Sequence, residues 1–213
     1  MRPRVLAFAA AAAVAAAVVP AHAGTAKPQL VDPVGDANGI NGQPETLAGP
    51  DPNVSTGPAS YAADDIVSVK FTTNFVTKKV KRKTVKTPTS FTATLTLAGA
   101  PDPAHNYYAV TATSAACPDG INFEYSAEPS AFAFDDVQCF DAGDGSPTSG
   151  SFNDYPATPA VVKGNTISWT VSLIGIKAGT VLKDLGAFAG VGFVGSMPTV
   201  DEAESTATYT VGR

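Results

Sequence analysis

Alternation of apolar and polar residues between Asp64 and Leu97 constrains this fold more than any other feature of the sequence. Two runs place apolar residues, or threonine, at every second position: Val67, Val69, Phe71, Thr73 and Phe75, then Phe91, Ala93, Leu95 and Leu97. A period of two puts each set on one face of a β-strand and the polar neighbours on the other. Because the polar, cationic segment Lys78–Lys86 separates the runs, the pattern predicts an antiparallel hairpin with a cationic tip.

The same period recurs later in the chain, at Ile121, Phe123 and Tyr125 and again from Ile167 to Leu173. No window of eleven or more residues repeats apolar positions at helical spacing, so we expect at most one helical turn, at 183–185 or 201–205. The segment 141–159 reads as a loop. We predict an all-β fold, an antiparallel, jelly-roll-like β-sandwich of about 8–9 strands with very little helix.

The first 23 residues have the features of a secretory signal peptide. Arg2 and Arg4 precede an unbroken apolar run from Val5 to Val19, and Ala21-His22-Ala23 fits a signal-peptidase site. The run is shorter than the roughly 20 residues of a spanning helix. We therefore predict cleavage after Ala23, a secreted or cell-surface protein with a single domain over 24–213, and no transmembrane segment after cleavage. A retained N-terminal anchor is the alternative.

Charge is unevenly distributed along the mature chain. Without Arg2 and Arg4 it has 12 basic and 19 acidic residues, a net charge of −7, and six of the basic residues lie in Lys78–Lys86, so the remainder carries −13. An acidic body argues against nucleic acid and anionic membranes as principal partners. The basic tip has three interpretations: a solvated end that discourages edge pairing, a contact with the protein's own acidic loops, or a contact with an anionic envelope polymer.

Two cysteines, Cys117 and Cys139, occur in a chain expected to enter an oxidising compartment. We predict a disulfide between them. Two free thiols are the alternative.

Oxygen donors are concentrated between Asp32 and Gln43. Asp32, Asp36 and Asn38 lie among glycines that let the backbone turn, and calcium takes six to eight such oxygens. If this loop folds back onto the start of the hairpin, Asp64 and Asp65 become the natural distant ligands. We therefore predict a calcium site at Asp32, Asp36, Asn38 and Asp65. The alternative is a turn-rich loop whose polar side chains bond only to its own backbone, and Asp119, Asp141 and Asp144 form a weaker second candidate.

Catalytic patterns are few. The spacing Gly190 to Gly195 matches a dinucleotide fingerprint, but no amphipathic helix follows it, so we interpret it as a strand of small residues. His105 is the sole histidine after the leader, and no Gly-x-Ser-x-Gly elbow is present. Paired carboxylates, either Asp135 with Asp136 or Glu124 with Glu128, are the alternative basis for a secreted hydrolase. We predict no catalytic residues and favour a protein that is not an enzyme.

The run Asp-Pro-x-Gly-Asp-Ala-Asn-Gly-x-Asn-Gly-Gln at 32–43, followed by Asp64-Asp65-Ile66-Val67, resembles the opening of secreted bacterial β-sandwich modules similar to DOMON domains and family 9 carbohydrate-binding modules. The resemblance covers about a quarter of the mature chain. It implies a calcium-supported sandwich with a binding or accessory role, and it places Asp32, Asp36 and Asp65 in correspondence with the family motif.

From these patterns we predict a secreted, non-catalytic β-sandwich module that binds in the extracellular space or at the cell envelope and holds a structural calcium. The expected partner is a cell-wall or extracellular polysaccharide. A secreted hydrolase with paired carboxylates and a structural envelope protein are the alternatives. No pattern in the sequence specifies an oligomeric state.

Overall fold

The structure, a computed structural model, describes residues 27–35, 37, 62–80, 83–104, 106–127, 134–141, 151–174, 176–191 and 199–213. All regular secondary structure in these ranges is β, as predicted. The strands are β1 (Leu30–Val31), β2 (Ile66–Val80), β3 (Lys83–Leu97), β4 (Asn106–Ser114), β5 (Cys117–Ser126), β6 (Phe134–Asp141), β7 (Ser151–Asp154), β8 (Ala157–Lys163), β9 (Thr166–Ser172), β10 (Val181–Val191), β11 (Thr199–Ser205) and β12 (Tyr209–Thr210).

The strands form two antiparallel sheets, which confirms the predicted sandwich, although the described residues contain twelve strands where about 8–9 were predicted. The first sheet has five strands in the order β1-β2-β3-β9-β8. The second has the order β11-β10-β4-β5-β6-β7, and β12 pairs with β10. Strands β2 and β3 share the longest ladder, from Ile66 opposite Leu97 to Val80 opposite Lys83, so the predicted hairpin is confirmed.

Aromatic side chains fill the space between the sheets. Phe123, on β5 of the second sheet, lies 5.9 Å from Phe71, 6.2 Å from Phe91 and 6.3 Å from Trp169, all on strands of the first sheet. Each contact is edge-to-face, the arrangement that aromatic quadrupoles favour. All four side chains are fully buried. The period-two pattern therefore places its large apolar residues on the inner faces.

Cys117 and Cys139 are joined by a disulfide that links β5 to β6, as predicted. Both cysteines are buried, and the described part of the chain contains no free cysteine. The bond covalently ties two neighbouring strands of the second sheet.

Two expectations about the later chain were wrong. The segment 141–159, predicted as loop, contains β7 and the start of β8, and the positions predicted as helical turns belong to strands β10 and β11. Strand β8 lies at an edge of its sheet, where Pro159 is tolerated and both faces stay largely exposed, so no alternation marks it. Strand β11 carries Asp, Glu and Ala, which have low β propensity, and its pairing with β10 overrides that preference.

Within the described ranges no helix has the length and hydropathy required to cross a membrane. Residues 1–23 lie outside these ranges, so the signal peptide stays a prediction.

Candidate functional site

A short turn before β2 holds two consecutive aspartates at the end of the first sheet. The amide of Ala98 donates a 2.8 Å hydrogen bond to the carbonyl of Asp65, and the amide of Gly99 bonds to the carbonyl of Ala62. A Cβ atom at Gly99 would lie 2.8 Å from that carbonyl group, so a side chain is excluded there. These contacts fix Asp64 and Asp65, which are 2% and 5% exposed.

The loop after β1 folds back onto this turn. Asp32 donates its amide to the carbonyl of Val67 at 3.0 Å, and the amide of Gly35 donates to Asp65 Oδ2 at 2.7 Å. Gly35 has a φ of +90°, which suits glycine and lets its amide point at the carboxylate. The structure therefore brings Asp65 to the loop that begins at Asp32. The other predicted ligands, Asp36 and Asn38, lie outside the described residues.

A third buried carboxylate reaches the same place from the second sheet. Asp201, on β11, is 7% exposed, and its Oδ2 accepts a 2.6 Å hydrogen bond from the amide of Ile66. Its Oδ1 accepts from the amide of Glu202 at 2.9 Å. We call Asp64, Asp65 and Asp201 the carboxylate cluster. Asp201 was not singled out from the sequence, because only strand pairing brings residue 201 next to residue 66.

The pKa of Asp64 is raised to about 7, chiefly by burial and also by the negative charges of Asp102 and Asp201, while hydrogen bonds from Tyr108 and Asn106 oppose the change. The side-chain amide of Asn106 donates a 2.8 Å hydrogen bond to Asp64 Oδ1. Burial also raises the pKa of the Tyr108 hydroxyl, which stays protonated and able to donate. The single ion pair found among the described residues joins Lys183 to Asp184, so no described cation balances Asp64 or Asp65.

Asp65 has one oxygen without a hydrogen bond in the described structure. Its Oδ2 accepts from Gly35, but its Oδ1 is buried and finds no partner there. A buried carboxylate oxygen in this state is costly unless a donor or a cation completes it. No three Asp, Glu, His or Cys side chains of the described residues are grouped closely enough to hold a metal ion alone. A cation at Asp65 would therefore need backbone carbonyls, water or the neighbouring loop as additional ligands.

A second pair of carboxylates lies on the outward face of the second sheet. Glu124 on β5 stands directly opposite Asp136 on β6, and strand partners in register share a face. Burial raises the pKa of each, and the charge of Asp136 raises that of Glu124 further. The Tyr107 hydroxyl and Asn122 form hydrogen bonds with Glu124 that oppose this shift.

This pair differs from the pairs expected from the sequence. Asp135 and Asp136 are consecutive in β6, so they lie on opposite faces, and Asp135 accepts a 2.5 Å hydrogen bond from the amide of Ala160. Glu128 lies outside the described residues. Only the register of β5 against β6 reveals that Glu124 faces Asp136, and no local sequence pattern carries that information.

An open groove of about 480 Å³ runs along β10 and β11 on the second sheet. Its lining includes Phe188, Thr111, Glu202 and Glu204. A Cβ atom at Gly186 would lie 2.5 Å from Thr111 Oγ1, so the Thr111 hydroxyl can take its position only because residue 186 is glycine. The groove therefore presents an aromatic ring beside carboxylates and a hydroxyl.

Some of the remaining sequence candidates lie in strands of the sheets, and others lie outside the described residues. Gly190 belongs to β10, which is paired with β4 and β11, so the fingerprint spacing begins inside a sheet, as interpreted. His105, Asp144 and residues 192–198 lie outside the described ranges, and Asp119 lies at the exposed start of β5.

Two packed antiparallel sheets with buried carboxylates at one end define an all-β sandwich protein. No family model, curated protein or solved structure matches this chain.

Proposed function

We propose that this chain is a secreted, non-catalytic β-sandwich module that holds one structural calcium ion at Asp65 and binds polysaccharide in the extracellular space or at the cell envelope. The observation that carries the proposal is Asp65 Oδ1, a buried carboxylate oxygen without a hydrogen-bond partner among the described residues. The carboxylate belongs to a residue that is 5% exposed.

The chemistry around Asp65 suits a hard cation. An ionised carboxylate in a buried position is stabilised by a cation far more than by neutral contacts, and calcium accepts carboxylates, carbonyls and water in flexible geometry. Asp32 begins the loop whose Gly35 contacts Asp65. Asp36 and Asn38 follow in that loop and complete the proposed ligand set.

The polysaccharide role rests on the groove along β10 and β11. Phe188 offers a ring for stacking on a sugar face, and Glu202 and Glu204 offer acceptors for sugar hydroxyls. Retention on insoluble polysaccharides tests this part of the proposal. Phe188→Ala should release the protein, whereas substitution by Ala of the exposed Ile174, which does not line the groove, should not.

The calcium site is tested by thermal unfolding of the mature protein in chelator and in calcium. With free calcium at 100 times its dissociation constant, the stabilisation is about 2.7 kcal/mol. Asp65→Asn should abolish this shift, because the amide keeps an acceptor for Gly35 but loses the charge. Asp184→Asn removes an exposed carboxylate elsewhere and should leave the shift intact. A wild-type protein that melts at the same temperature in both buffers would refute the calcium site.

The carboxylate pair Glu124 and Asp136 favours a second candidate, a secreted hydrolase. Two facing carboxylates with raised pKa values can divide acid and base roles. Turnover of chromogenic glycosides that is lost in Glu124→Gln, with the fold unchanged, would establish this activity in place of the binding module.

A further inference from the structure

The hairpin of β2 and β3 extends beyond the ladders that join it to the rest of the first sheet, with Val76 and Thr77 half-buried at its base. Pairing of β3 with β9 begins at Ser90, and β1 pairs with β2 only at Ser68 and Val69. From Val76 to the end of the ladder at Val80–Lys83, the two strands pair only with each other within the described structure. We call residues 76–80 and 83–87 the cationic ribbon. Each five-residue strand of the ribbon is about 17 Å long, which is roughly two Debye lengths at physiological ionic strength.

Both faces of the cationic ribbon carry positive charge. Residues that pair across two strands share a face, and so do residues two positions apart in one strand. Lys79 pairs with Thr84, and Lys86 pairs with Thr77. Because Thr84 and Lys86 are two positions apart, Lys79 and Lys86 lie on the same face. Lys78 and Lys83 lie on the other face by the same alternation. All four lysines are exposed.

None of these lysines forms an ion pair with a described residue, since the one ion pair found there is Lys183–Asp184. The interpretation in which the tip docks on the protein's own acidic surface therefore has no support in the described contacts. Outside the segment Lys78–Lys86 the mature chain carries 19 acidic residues against six basic ones. Charge is thus separated between a positive projection and a negative body.

We propose that the cationic ribbon binds a linear anionic polymer outside the cell, such as a chain of phosphodiester groups. The proposal rests on the proposed secretion of the module and extends its partners to polyanions. A thin polymer can contact the ribbon while staying beyond the screened field of the acidic body. A flat anionic membrane would bring that body close to the same surface.

The composition of the ribbon also favours a polymer over a protein partner. Its described residues are only valine, threonine and lysine. Specific protein interfaces depend on buried Trp, Tyr and Arg anchors in complementary pockets, and the described ribbon has none. Lysine acts as a flexible point charge for phosphate, which suits a repeating polyanion contacted from two faces.

The test compares two variants of equal charge. One carries Gln at Lys78, Lys79, Lys83 and Lys86, and the control carries Gln at Lys27, Lys70, Lys163 and Lys177. Binding of the wild type and of each variant to fluorescent poly(glycerol phosphate) is measured by fluorescence anisotropy at several salt concentrations. The same titrations are made with polygalacturonate, a polymer of carboxylates. In the ribbon variant the slope of log affinity against log salt should be shallower by about 3, and affinity at physiological salt should fall about tenfold or more. The control variant should keep most of the wild-type slope and affinity.

Several outcomes overturn the proposal. It is overturned if the wild type binds neither polymer, or if both variants lose the same amount of polymer affinity. It is also overturned if the ribbon lysines are required for binding to anionic vesicles but not to polymer, or for self-association measured by sedimentation. Emission of the buried Trp169 verifies that each variant is folded. Asp65→Asn, measured in parallel, should keep polymer binding, so failure of the calcium site is distinguishable from failure of the ribbon. N-terminal sequencing of the exported protein tests the compartment separately.

Discussion

The indole N–H of Trp169, on β9 of the first sheet, donates a 3.0 Å hydrogen bond to the backbone carbonyl of Glu124, on β5 of the second sheet. This polar contact spans the aromatic core and coincides with the edge-to-face packing of Trp169 against Phe123. The Trp169 side chain is fully buried, so its ring packs entirely within the core, and its single hydrogen-bond donor has a partner there.

Trp169→Phe should lower the free energy of unfolding by about 2–3 kcal/mol, because it removes a buried hydrogen bond and leaves a partial cavity. Urea denaturation followed by far-ultraviolet circular dichroism measures the change. Ile174→Ala, at an exposed position, is the control and should stay within about 0.5 kcal/mol of wild type. A Trp169→Phe protein as stable as this control would show that the cross-sheet bond contributes nothing.

The disulfide between Cys117 and Cys139 spans 22 positions and links adjacent strands. A double Cys→Ala variant should be less stable by about 3 kcal/mol, as expected for the entropy that a loop of this size loses on closure. Urea denaturation of the oxidised and variant proteins measures the difference. Intact mass before and after reduction and alkylation provides the control, since only the wild type should gain two alkyl groups after reduction.

The sequence predicted those parts of the fold in which alternation coincides with burial. Ile167, Trp169 and Val171 on β9 are buried every second residue, and their neighbours are not, so the strand and its core face followed from local pattern. The edge strands β8 and β11 were missed for the opposite reason. Edge positions tolerate proline, acidic residues and exposure on both faces, and these features mask the period of two.

The candidate site was predicted in part for a similar physical reason. Asp65 and the loop at Asp32 are linked through the pairing of β1 with β2, and a loop rich in glycine and oxygen donors pointed to that end of the sheet. Asp201 arrives from a strand 135 residues away from its partner Ile66. Its position depends on the order of strands in both sheets, and a local pattern in one sequence does not encode that order.

Burial, followed by the charge of Asp136, raises the pKa of Glu124 in the folded state. In the unfolded chain a glutamate has a pKa of about 4.3. The folded protein therefore binds more protons above that pH, so the free energy of unfolding should fall as pH rises from about 4.3 through the raised pKa of Glu124. Denaturation across this range should show a smaller decline in Glu124→Gln. Glu204→Gln, an exposed substitution on β11, is the control and should decline as the wild type does.

Equal pH dependence in Glu124→Gln and wild type would contradict the proposed titration. The substitution keeps an acceptor for the Tyr107 hydroxyl and leaves the carbonyl that receives the Trp169 bond in place. A large loss of stability at every pH would instead show that the glutamine cannot fit the half-buried position.

Asp201 is expected to stabilise the junction between the sheets through its bond to Ile66. Asp201→Ala removes the acceptor of a buried amide and should lower the free energy of unfolding by about 1–3 kcal/mol. Asp201→Asn retains one acceptor oxygen and relieves the charge that raises the pKa of Asp64, so its loss should be smaller. Urea denaturation in chelator isolates this effect from any cation. Equal losses in the two variants would mean that the charge of Asp201, rather than its hydrogen bond to Ile66, holds the two sheets together at this end.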